Sequence, residues 1–353
     1  MKRLLRLVQL LLIVAAVTLA LWTPPASWIE QFYSNQYYPA TQFWSLPLTD
    51  LAPFPIGDAL LVVVLVALLV WWALALRAGR IRAVLIALAW RGLDTLALLA
   101  CIYLAFLSLW GLNYSREPLT AKLDYDPQRI TIDGEHALLA QAIQQLNAEA
   151  PVVHSQPIPG DTVMIEHLFP ASAGTLRLLG TQPPFVAALP KTSLFDFYFE
   201  ATSVTGFTDP ITHEVTLTAS LLPIERPFVL AHEWSHTAGY ANESEANFIS
   251  FLTCERSDLP LARYSAWLAL YSYLPKPPDG TAPLAPQVAA DLQAIQERIN
   301  RTANKSATRV ETQAYDHYLK ANRVEAGIDS YGLFVRLILG TDFGSDWVPL
   351  PRK

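Results

Sequence analysis

Three uncharged apolar runs near the N-terminus decide most of what this chain can fold into. They cover about Leu7 to Trp22, Ala59 to Leu76 and Thr95 to Leu112. Each is close to the ~20 residues a helix needs to cross a ~30 Å hydrocarbon core. A buried helix of a soluble domain rarely stays apolar on every face for so long. Hydrophobic residues make up 52% of the 353 and charged residues 16%, against about 45–50% and about 25% in typical soluble domains. The excess lies before residue 113, so the expected organisation is an α-helical membrane anchor over residues 1–112 and a separate domain over 113–353.

Positive charge sets the expected orientation. Lys2, Arg3 and Arg6 precede the first run, and Arg77, Arg80, Arg82 and Arg91 lie between the second and third. The loop from Thr23 to Gly57 has no Lys or Arg but carries Trp28, Tyr33, Tyr37, Tyr38 and Trp44, aromatics suited to a membrane interface. That loop is expected outside, and the third span delivers the C-terminal domain to the same side. The stretch Ile81 to Trp90, too short to span, is expected along the cytoplasmic surface. A multi-pass protein of the cytoplasmic membrane with an extracytoplasmic domain follows. Thr18-Leu19-Ala20 also resembles a signal-peptidase site, and cleavage there would leave two spans with the domain still outside. The net charge of −6 and the lack of a basic run argue against a nucleic-acid partner. Cys101 and Cys254 form no disulfide framework and read as small buried hydrophobes.

The second half has the pattern of an α+β domain, mostly helical with a small hairpin. Ala137, Leu138, Ala142, Ile143 and Leu146 recur at helical spacing. The Pro-, Gly- and Thr-rich stretch that follows suggests short strands, and Val204 to Leu217 reads as a hairpin turning at Asp209-Pro210. A helix opened by Pro223 and Pro227 closes at Gly239, and a second runs from Asn242 to about Cys254. A Pro-rich loop spans Leu274 to Pro286, and further helices are expected over Val288–Arg301, Glu311–Asn322 and Ser330–Leu339.

The chemistry-bearing stretch is His232-Glu233-Trp234-Ser235-His236. Residues four apart lie on one helix face, so both imidazoles can meet one cation. Glu233 can then reach a water on that cation without binding the metal itself. Zinc held this way lowers the pKa of its water to about 7. A catalytic site needs a third protein ligand, and Asn242 stands where a metzincin would place a histidine. Glu245 is the preferred ligand and Glu243 the reserve, although Asn242-x-x-Glu245 is also a capping-box pattern. Cys254, nine residues past Glu245, falls on the opposite helix face.

The run from His232 to Cys254 resembles the gluzincin arrangement, in which HExxH is followed by a short turn and a Glu-x-Glu-Ala-Asn helix. Phage-repressor-directed and radiation-response metallopeptidases end similarly. The chain more closely resembles an uncharacterised bacterial membrane family with three N-terminal spans and an external HExxH domain. Gly111–Arg116, the Gly206–Thr216 hairpin, Tyr318–Asn322 and Ser330-Tyr331-Gly332 carry that likeness. His213-Glu214 departs from an expected Gly-Glu pair. The resemblance implies a zincin-like domain, a Zn2+ cofactor and a peptide or protein substrate, with His213 to Thr218 as the edge strand that binds it. Tyr331, Tyr318 and His213 are candidate oxyanion donors, and Tyr114 and Arg116 are expected to anchor at the interface. The alternative is a non-catalytic zinc-binding envelope sensor or receptor.

Overall fold

The computed structural model describes residues 2–75, 81–181, 185–276 and 282–352. Leu76, Arg77, Arg80 and residues 277–281 of the expected Pro-rich loop lie outside the described residues. The chain begins with α1 (Lys2–Leu21), α2 (Ala26–Trp28), a π-helical segment Ile29–Tyr37 and α3 (Tyr38–Thr49), then α4 (Ile56–Ala75) and α5 (Ile81–Leu109). Within α1, α4 and α5, the windows Arg3–Leu21, Ile56–Leu74 and Leu88–Leu109 are long and apolar enough to cross a membrane. Their apolar side chains point outward, as a lipid-facing surface requires. Cys101 is among the exposed residues of α5, whereas Cys254 is buried; both are free. Ile81 to Trp90 is not a separate surface segment: it is the start of α5, a 29-residue helix.

The three apolar helices meet the globular half at one side. Thr23, just past α1, bonds Arg323. The first amides of α4, Ile56 and Gly57, donate to the Glu214 carboxylate at 3.0 and 2.8 Å. The last carbonyl of α5, Leu109, accepts from His213 at 3.0 Å. The opposite end of α1 carries Lys2, Arg3 and Arg6.

The globular half runs α6 (Leu119–Lys122), α7 (Ile132–Ser155), α8 (Asp161–Leu178), β1 (Pro190–Lys191), α9 (Asp196–Thr202), β2 (Gly206–Thr208), β3 (Val215–Leu217), α10 (Arg226–Thr237), α11 (Glu243–Glu255), α12 (Pro260–Tyr273), α13 (Pro286–Thr302), α14 (Lys305–Ala321) and α15 (Leu333–Gly340). The expected hairpin forms, with Phe207 opposite Thr216. β1 adds to β3 in parallel, so the sheet order is β1-β3-β2. β3 is therefore the central strand, not the edge that the resemblance implied; β2 is an edge. Of the short strands expected between the first helix and the hairpin, β1 forms, but the longest element of that stretch is α8. Its Pro170 and Gly174 obscured a helical stripe of Met164, Leu168 and Leu176, all buried. α12 was not anticipated either; it puts Trp267 against Phe251 of α11, ring centroids 5.1 Å apart. α11 is the hub of the core, buried from Glu243 to Cys254.

The segment between the first two spans also departs from expectation. Trp28, Tyr37 and Trp44 are exposed, but Ile29, Tyr33, Tyr38 and Leu46 are buried against the globular half. Gln42 bonds the Thr237 carbonyl and Ser45 the His213 ring. The boundary at residue 112 thus divides the sequence but not the packing. Arg116 is no interfacial anchor either: its guanidinium is buried, bonds Glu30 at 2.8 and 2.9 Å, and donates to the Gly239 carbonyl at 2.8 Å. Lys122 makes a third bond to Glu30 at 2.8 Å. Although burial opposes ionisation, these two cations hold the Glu30 pKa down to about 2. Glu30→Ala leaves Arg116 buried and uncompensated, so unfolding of the detergent-solubilised chain should show a loss of about 3–5 kcal/mol.

Candidate metal centre

Local backbone chemistry aims the two histidines. α10 begins with Pro227 in its first turn and ends in a Schellman turn: Gly239 N bonds the His236 carbonyl at 2.8 Å, and Tyr240 N the Ser235 carbonyl at 3.1 Å. Gly239 has φ +84°, and a Cβ there would lie 3.0 Å from Asn113 Oδ1, so glycine answers both demands. The turn brings the Tyr240 carbonyl 2.8 Å from His236 Nδ1. A carbonyl only accepts, so Nδ1 carries a proton, and once the ring is neutral Nε2 is the nitrogen left with its lone pair. Asn247 Oδ1, one turn into α11, lies 2.8 Å from His232 Nδ1 and orients that ring in the same sense.

The third group is Glu243, the first residue of α11. Its Oε2 is 3.2 Å from His232 Nε2 and 3.4 Å from His236 Nε2, and the two Nε2 atoms are 3.1 Å apart. Donors held ~2.0–2.1 Å from a tetrahedral zinc are roughly 3.3–3.4 Å from one another. All three residues are buried, and Glu243 Oε2 has no hydrogen-bond partner. Two facing lone pairs and an orphaned carboxylate oxygen are the donor set a divalent cation satisfies. Among the described residues, this is where His, Cys, Asp and Glu donors converge closely enough to hold one.

Glu245, the residue preferred from the sequence, is not in this cluster. Its Oε1 accepts from the Leu119 amide at 2.6 Å, close to Arg116 and Lys122. Nor does it complete a capping box: Asn242 Oδ1 takes the Ser244 amide at 2.9 Å, while the Glu245 carboxylate faces away. Two positions along a helix rotate a side chain by about 200°. Glu243 and Glu245 therefore serve opposite sides of α11.

Glu233 is buried beside the cluster, 2.8 Å from the hydroxyl of Thr208 in β2. Burial raises its carboxyl pKa, against the pull of the two histidines. Gly206 of β2 passes so close that a Cβ would lie 2.5 Å from Glu233 Oε1. Tyr331 stacks on His232 with centroids 6.4 Å apart, and the Tyr315 hydroxyl donates to Glu243. Burial and the nearby Glu243 carboxylate keep both phenols protonated, as donors. Tyr318 stands further back, stacked on Tyr315 at 5.7 Å and accepting from Tyr114 at 3.3 Å. His213 is no candidate donor: Ser45 and the Leu109 carbonyl engage its two nitrogens at 2.8 and 3.0 Å. It occupies a left-handed conformation with φ 61°, the kind of position where a glycine was expected. Sequence reasoning missed Tyr315, Asn247, Thr208 and Trp110, whose ring meets His236 at 5.8 Å. Asn247 and Tyr315 sat beside quoted motifs, one within Glu245-Ala246-Asn247 and one a helical turn before Tyr318.

Residues 33–339 match a protein family described as "Protein of unknown function (DUF3810)", and the chain belongs to it. No curated protein and no solved structure matches.

Two outcomes follow from the geometry. Zinc titration of the detergent-solubilised protein should weaken at least tenfold in Glu243→Gln, whereas Glu245→Gln should retain zinc and instead lower the melting temperature. Glu243 also governs the pH response. Burial alone would lower the His236 pKa, but the adjacent carboxylate lifts it from 6.5 to about 9. In metal-free protein this ion pair stabilises the fold fully below 6.5 and is lost as pH rises through about 9. Metal must displace that proton, so zinc affinity should rise about tenfold per pH unit across this window; calorimetry at two pH values within it checks the slope.

Proposed function

We propose that this member of the family is a membrane-anchored zinc peptidase that hydrolyses peptide bonds of envelope or membrane proteins by activated water. The observation that carries the reading is the convergence of His232 Nε2, His236 Nε2 and Glu243 Oε2 at tetrahedral spacing, with Glu233 alongside but outside the donor set. Three protein donors leave one position of a tetrahedral site open, the hallmark of catalytic rather than structural zinc. When bound, zinc supplies a Lewis acid that polarises the scissile carbonyl and makes water a nucleophile near neutral pH.

The chain's own groups account for the rest. Glu233, raised by burial, is placed to take the proton of the attacking water and return it to the leaving amine. Thr208 holds that carboxylate by one oxygen, leaving the other for proton transfer. The Tyr331 phenol, beside His232, is the donor for charge developing on the carbonyl oxygen. With β3 central, β2 is the strand that can pair with an extended substrate, and its Gly206 lets backbone approach Glu233. The charge pattern of α1 supports an extracytoplasmic site in the cytoplasmic membrane, since Lys2, Arg3 and Arg6 lie at the end away from the globular half.

A non-catalytic zinc receptor would need the same ligands but no proton acceptor beside them, so Glu233 favours the enzyme. Metal analysis should find about one zinc per chain, absent after His232→Ala with His236→Ala. Glu233→Gln should keep the metal and lose at least 100-fold in peptide hydrolysis. A metal-loaded wild-type chain with no hydrolysis across a peptide library would establish the receptor reading instead.

A further inference from the structure

Two groups of large apolar side chains flank the start of α4 without covering one another. On α3 and the turn after it, Trp44, Leu48 and Leu51 follow the four- and three-residue steps of one helix face and are 72%, 66% and 81% exposed. The opposite face, with Tyr38, Gln42, Leu46 and Thr49, is buried. The second group lies just before and on α9: Leu194 is 51% exposed and Phe197 72%.

The height of this second group is fixed by α4. Asp58, in the first turn of that helix, accepts from the Ser193 hydroxyl at 2.7 Å and the Leu194 amide at 2.8 Å. Lys191 joins the two groups, bonding the Thr49 carbonyl at the end of α3 and Glu214 below α4, each at 2.7 Å. Leu194 and Phe197 are thus held level with the start of an apolar helix, continuous with the surface that α4 presents to lipid. Two of the charged groups beside these side chains are engaged, Lys191 by Glu214 and Asp196 by the Ala219 amide. Apolar surface of this kind is rarely left to water in a monomer.

The geometry points to a monotopic contact, made by Leu194 and Phe197 with the outer leaflet of the bilayer that the spans cross, which seats the globular half on the membrane. The contact is apolar and does not require anionic lipid. It also lowers the metal centre toward the surface. Phe199 of α9 packs on Phe207 of β2 at 6.1 Å, and Gly206 beside it closely approaches Glu233. On the far side, Trp110 joins the end of α5 to His236. Resting on the peptidase reading, this assigns the substrate class: polypeptide held at the bilayer, the juxtamembrane stretch of membrane-anchored proteins.

The test uses the full chain in phosphatidylcholine nanodiscs, with Cys101→Ser and a nitroxide on Phe197→Cys or, for reference, on Gln141→Cys at an exposed position of α7. Power saturation should show position 197 accessible to oxygen and shielded from a water-soluble nickel chelate, and position 141 the reverse. Equal nickel accessibility at both overturns the contact. A single-span model polypeptide in the same discs should be cut within about ten residues of its anchor, the reach of an extended segment from the surface. The same stretch as a free peptide should be cut roughly tenfold more slowly, having lost its effective concentration. Equal rates overturn the substrate assignment. No cleavage of either, with position 197 in lipid, overturns the peptidase reading while the contact stands.

Discussion

The buried Arg116 guanidinium is the interaction on which the rest of the structure depends. It bonds Glu30 from the segment between the first two spans and the Gly239 carbonyl at the end of the HExxH helix, and lies 4.1 Å over the Tyr240 ring. A cation at a helix C-terminus is favourable in its own right. Here it also secures the turn that supplies the Tyr240 carbonyl to His236. A charge this deeply buried is tolerable only because every side of it is engaged. The segment between α1 and α4, the start of the globular half and the turn after α10 therefore form one electrostatic unit rather than a domain on a tether.

The candidate metal site shows the same economy of shared parts. α10 contributes both imidazoles and Glu233, and the tight turn after it returns the chain so that the first residue of α11 faces back toward them. Asn247, one turn further, orients the first histidine, while Glu245 turns away to hold Leu119. The convergence is rigid because α11 is buried along almost its whole length. Donors fixed before a cation arrives lose little conformational freedom in binding it, which is the use of such a stiff, buried helix.

Much of this was legible in the sequence, and the failures have physical causes. Apolar runs of span length stand out because lipid demands apolarity on every face. The pairing of His232 with His236 is equally plain because four residues make nearly one turn. Choosing between Glu243 and Glu245 depended on where α11 starts, and the acids lie two residues apart on nearly opposite faces. The capping pattern at Asn242 suited either register. Tyr33 and Tyr38 read as interfacial because core and interface draw on the same aromatic residues. Only their partners, Trp110 and each other, reveal which environment they occupy. Arg116 read as an anchor because its acid lies 86 positions away, beyond any local pattern.

The folding of residues 26–49 against the C-terminal half has a consequence for biosynthesis. This segment leaves the ribosome long before the helices it supports, and it must wait while the two further apolar helices, α4 and α5, are made. Until α10 and α11 follow, Tyr38, Gln42 and Ser45 lack their eventual partners, the His236 and Thr237 carbonyls and the His213 ring. The candidate metal site therefore closes late, after the whole N-terminal half has been made. Cutting the chain after the third span to obtain a soluble fragment would remove one wall of the site along with the anchor. Recombinant work on this protein calls for detergent or lipid from the outset.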